Sequence, residues 1–137
     1  MTASSLPAAL RAGADGLYAL EAATGLIIAH ASWLARDDFK CFIHHGTGTA
    51  AIDWETAIGA LDAGRLPSSG GERRMLRLAA SLAGQAPVSL GDAITGIDER
   101  NLSILVSAVL HAGGRRQFPE PRHETRHHLH LPGMMWP

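Results

Sequence analysis

His123, Glu124 and His127 place two imidazoles four residues apart, with a carboxylate beside the first. On a helix that spacing turns both rings to one side. There they can share a divalent transition metal such as zinc while the carboxylate takes a proton from metal-bound water. His128 and His130 bring two more imidazoles, so His123, His127, His128 and His130 form the candidate metal set. Pro121 and Pro132 bracket the run and leave about ten residues for a helix, a length that is marginal in water without packing. The segment has almost no apolar face to pack with, and little chain follows His127 to donate a further ligand. Loose ligation in a solvated tail is the expected chemistry, not a walled reaction site.

Other reactive groups are sparse. Cys41 is the only cysteine, which rules out an intramolecular disulfide or a cysteine-rich zinc site and fits a reducing compartment. His44 and His45 follow closely, but no acylating motif surrounds the thiol, so Cys41 is expected to be a small buried hydrophobe. Glu21 and His30 lie on opposite faces of one candidate helix and cannot pair within it. Each is expected to be a satisfied or exposed polar group. Asp37-Asp38 suits a helix cap better than a carboxylate dyad.

The elements that carry these residues follow from periodicity. Leu17, Leu20, Thr24, Ile27, Ala31 and Leu34 recur at spacings of three and four, predicting a central helix that starts near Asp15 or Gly16. Phe39, Phe42 and Ile43 predict a short helix over 37–45 closed by Gly46, with an alternating strand as the weaker alternative. Asp53 caps a helix through Ile58 and Leu61 that stops at Gly64, with Trp54 packing at its first turn. Ser69 and Glu72 have capping-box spacing for a helix to about Ala83, with Met75, Leu78, Ala79 and Leu82 inward. Ser89 and Asp92 suggest a second such cap on a brief helix ending at Gly96. Asp98 opens the last helix, in which Leu102, Leu105, Val106, Val109 and Leu110 are expected to face inward until Gly113-Gly114.

From Arg115 onward the apolar period disappears and Pro, His and Arg dominate. The expected organisation is a single compact all-α domain of five or six helices over 1–114, with a flexible His/Arg/Pro-rich tail over 115–137. With 137 residues, 46% of them hydrophobic, one core is affordable and two are not. A net charge of -1 gives no overall field toward nucleic acid or an anionic membrane. Leu17–Leu34 is apolar, but Glu21, Thr24 and His30 oppose a membrane span, and a cytoplasmic setting is expected.

Three local runs resemble known families. His123-Glu124-Thr125-Arg126-His127 resembles the zincin peptidases over five residues. The longer metzincin pattern would need glycine at His130 and histidine at Gly133, and has neither, so the match reads as chance. Ser69-Gly70-Gly71-Glu72-Arg73 resembles the signature loop of ABC-type ATPases over about fifteen residues to Leu82. The chain has no phosphate loop of the G-x-x-x-x-G-K-[ST] kind, so a capping box is the simpler account. The helix order from Glu72 to Gly114 resembles the helix-turn-helix core of winged-helix regulators. That likeness implies a last helix entering the DNA major groove, with Glu99, Arg100, Asn101, Ser103 and Ser107 toward the bases and Arg115 and Arg116 on phosphates. Asp98 and Glu99 oppose phosphate there, and Arg100 is the helix's one cation. Over 6–114 the chain also faintly resembles small uncharacterised helical proteins of actinobacteria, which implies a bacterial setting and no mechanism.

The expected function is therefore a small non-catalytic interaction or regulatory module. A protein partner is expected first, met in part by Phe118, Met134, Met135 and Trp136, with no membrane partner and no cofactor. The alternatives are a winged-helix-like DNA-binding regulator and a metal-binding protein acting through the His-rich tail.

Overall fold

The structure, a computed structural model, describes residues 5–114. Residues 115–137 lie outside it, and with them Arg115, Arg116, His123, His127, His128 and His130 and the expectations attached to them.

The described chain is mostly helical. Helix α1 spans Leu6–Ala14, opened by the Ser5 hydroxyl, which accepts from the amide of Ala8 at 3.2 Å, and by Pro7, whose missing N–H costs nothing in a first turn. This helix was not read from the sequence, because only Leu10 and Ala14 are buried and small residues fill the rest. Gly13 is required here: a Cβ at this position would run into the carbonyl oxygen of Ala50, so glycine lets α1 lie directly on a strand.

Helix α2, Tyr18–His30, is the central element, packed on α1, α4 and α6. Ala22, Ala23, Thr24, Leu26, Ile27 and His30 are all buried, a wide face that suits a helix with neighbours on several sides. It is shorter than the apolar stripe suggested. Leu17 is 64% exposed, and the helix ends at Ala31, where φ is 75°. The chain then turns inward, burying Trp33 completely, with its indole N–H donating to the carbonyl of Glu72 at 2.8 Å. Arg36 stacks over the Trp33 ring at 4.5 Å and grips Asp38 through two bonds, of 2.9 and 2.6 Å.

The expected helix over 37–45 is corrected. Asp37–Phe42 is a 3-10 helix that buries Phe39 and Phe42, and Ile43–His45 is strand β1. Strand β2, Ala50–Ile52, pairs with it antiparallel in the register Ile43 to Ile52 and His45 to Ala50. Gly48, at φ 72°, supplies the turn between them. Cys41 is also corrected: it is exposed, its thiol 3.7 Å from the carbonyl of Asp38, because the 3-10 turn puts Phe39 and Phe42 inward in its place.

Helix α3, Trp54–Asp62, has the expected Asp53 cap, bonded to the amide and hydroxyl of Thr56 at 3.2 and 2.9 Å, and Trp54 is buried. Helix α4, Gly70–Leu82, carries both arms of the capping box: Ser69 Oγ accepts from the Glu72 amide, and the Glu72 carboxylate accepts from the Ser69 amide. The second box is absent. Helix α5, Leu90–Ile94, has no side-chain bond at Ser89. Helix α6, Glu99–Ala112, is capped by Asp98 through the Asn101 amide at 2.7 Å. Its buried face is Asn101, Leu105 and Ala108, whereas Leu102 and Val109 are 43% and 50% exposed, so the inward stripe is rotated from the expected one. Ala108 of α6 stands near Ala22 and Ala29 of α2, whereas Asn101 packs on the first turn of α4.

No helix among the described residues is long and apolar enough to cross a membrane.

Candidate functional site

Between α1, α2 and α6 the packing leaves a cleft of about 510 Å3. Its position follows from those same small residues: Ala14, Ala22, Gly25, Ala29 and Ala108 hold the three helices close without filling the space between them. Into this mostly aliphatic lining the sequence sets Arg11 from α1, Glu21 and Thr24 from α2, and Ser103, Ser107 and His111 from α6.

The central polar feature is a pair joining two helices. His111 Nε2 lies 2.7 Å from Oε1 of Glu21, ninety residues away in sequence. The other carboxylate oxygen of Glu21 accepts from the Gly16 amide at 2.9 Å, tying the turn between α1 and α2 to the same group. Tyr18 stands edge-on to the His111 ring at 5.8 Å. A carboxylate held at both oxygens is fixed in place and orients the imidazole beside the opening. Arg11 reaches over Gly25, its Nη1 4.0 Å from where a Cβ would stand there, and has no hydrogen-bond or ion-pair partner among the described residues.

Neither a protein-family model, nor a curated protein, nor a solved structure matches this chain.

Of the residues singled out by the helix-turn-helix likeness, Ser103 and Ser107 line the cleft, and Glu99 is exposed. Arg100 is exposed but donates to the carbonyl of Ala29 at 3.1 Å, bridging α6 to the end of α2. Asn101 is buried, its amide nitrogen 3.7 Å from the Cβ position of Gly71, so it packs α6 against the first turn of α4. Base reading would need Asn101 to leave that contact. The Ser69-Gly70-Gly71 run opens α4 with the Glu72 carboxylate at its first turn, and the Arg73 guanidinium donates to the Ser68 carbonyl. Among the described residues no group of three or more His, Cys, Asp and Glu side chains comes together to hold a metal.

His30 is corrected as well. It is buried, and its Nδ1 has no hydrogen-bond partner among the described residues, where a satisfied or exposed ring was expected. Burial, and secondarily the Arg100 guanidinium, push the imidazole below its ordinary value, with Glu72 and then Asp98 pulling the other way.

Arg11, Glu21 and His111 were not read as a site. Ser103, Ser107 and His111 do share an i, i+4, i+8 stripe of polar side chains on α6, a signal visible in the sequence. Glu21 as partner of His111 had no local signal at all.

Proposed function

We propose that this protein is a small non-catalytic binding module that holds a small molecule in the α1–α2–α6 cleft. The observation that carries the reading is the 2.7 Å Glu21–His111 pair in the lining of a 510 Å3 cleft. That volume falls in the range of about 300–1,000 Å3 typical of ligand sites, and a few fixed polar groups on an apolar lining are how such sites orient what they bind. A binding role fits better than catalysis because, among the described residues, the His111 ring is hydrogen-bonded to Glu21 and to no hydroxyl or thiol that it could activate. The test is a fragment titration of the full chain followed by amide chemical shifts. Fragments that bind should move Gly25, Ser103, Ser107 and His111 together, and a set that binds only elsewhere refutes the reading.

A macromolecular partner is the second reading, supported by Leu102 and Val109 on the outer side of α6 and by Leu90 and Ile94 on α5, all exposed. Replacing Leu102 and Val109 by aspartate abolishes such an association and leaves the cleft untouched.

A further inference from the structure

We infer that the ligand of the cleft is an aliphatic monocarboxylate, its head group on Arg11 and its hydrocarbon body along the alanine-rich wall. This rests on the reading of the cleft as a binding site and adds the chemical class.

Three observations point the same way. Among the described residues the charged side chains lining the cleft are Arg11, Asp15 and Glu21, with His111. Glu21 is committed to His111 and to the Gly16 amide, so it is not the group left to meet a ligand. Arg11 is the cation there without a partner among the described residues, and a guanidinium matches the planar, two-oxygen geometry of a carboxylate. Asp15 lies just past the end of α1 and is exposed, while Glu21 is held in its pair with His111. Asp15 repels a dianionic phosphate more strongly than it repels a singly charged head group on Arg11. The body of the ligand is set by the wall. Among the described residues no Phe, Tyr or Trp lines the cleft, whose one ring is the His111 imidazole already paired with Glu21, and Ala14, Ala22, Leu26, Ala29, Ile104 and Ala108 suit a flexible chain. Ser103 and Ser107, one turn apart on α6, offer hydroxyls to a second polar group such as a hydroxyl or keto oxygen on that chain.

The experiment titrates the full chain separately with octanoate, octanol, octylamine and octyl phosphate, read by amide chemical shifts and by calorimetry. Octanoate should perturb Gly25, Ser107 and His111 and bind at least about tenfold tighter than octanol, the difference expected of one charge-assisted contact. Arg11→Gln should remove that preference and bring octanoate to the affinity of octanol. Arg11 has no hydrogen-bond or ion-pair partner among the described residues to lose, and an unchanged urea midpoint verifies that the variant is folded. Octanol or octylamine binding in the cleft as tightly as octanoate, or octyl phosphate binding tighter, overturns the carboxylate assignment and leaves the cleft as a binding site. If none of the four perturbs cleft residues, both the class and the site are refuted.

Discussion

Ala31 closes α2 with φ 75° and ψ -34°, and the Ser32 amide bonds the His30 carbonyl at 2.9 Å across it, a three-residue turn that L-residues enter at a cost. The turn drops Trp33 into the core three residues after His30, so the strain is held by the burial on both sides. Glycine at 31 removes the Cβ conflict, offset in part by a freer unfolded chain. Ala31→Gly is therefore expected to stabilise by about 0.5–1 kcal/mol and raise the thermal midpoint by a few degrees; a lowered midpoint contradicts this turn geometry. His30 itself predicts a pH dependence. The folded imidazole titrates below its ordinary value, so between that value and about 6.5 the unfolded chain binds a proton that the native one refuses. Stability is full above about pH 7 and declines as the pH falls through 6.5. Urea midpoints at pH 7.5 and 5.5 should differ less in His30→Leu than in the parent, and equal differences would show that His30 does not contribute.

At the scale of elements the two candidate capping boxes separate local grammar from tertiary outcome. Ser69 and Ser89 are each followed three residues later by an acid, yet only Ser69 forms the box. Ser69→Ala should cost about 1 kcal/mol, and Ser89→Ala should stay within about 0.5 kcal/mol, both measured by urea unfolding. Equal losses would mean that α5 is capped after all. The caps at Asp53, Ser69 and Asp98 were legible because a cap is decided by residues three apart on one chain. The hairpin was not, because strands of three residues hold too little alternation to outweigh the helical spacing of Phe39, Phe42 and Ile43. The face of α6 was misplaced for a different reason. Periodicity ranks leucine and valine as inward, but the helix packs with Asn101, Leu105 and Ala108, where close approach to its neighbours matters more than bulk. The cleft inherits this: its serines and histidine were visible as a stripe, while the Glu21 that orients His111 joins it only through the packing of α2 on α6.

For the molecule as a whole, α1 is the piece that couples the fold to the site. It brings Arg11, Ala14 and Asp15 to the cleft, and its seat is set on the opposite side, where Gly13 meets the backbone of Ala50 in β2. Any side chain at 13 must push α1 off the hairpin, since the obstacle is a carbonyl and not the end of a flexible chain. Gly13→Ala is expected to destabilise by about 2 kcal/mol, within the usual cost of overpacking. It should also weaken octanoate binding, because the displaced helix carries Arg11 with it. Ser69→Ala supplies the comparison. It sits at the start of α4, contributes no residue to the cleft, and should lower stability while leaving octanoate affinity within twofold of the parent at a temperature where both remain folded. Measured side by side, calorimetric affinity and urea stability should fall together in Gly13→Ala and separate in Ser69→Ala. If affinity falls equally in both, binding follows global stability, and the cleft's geometry is not held by the seat of α1 on the hairpin.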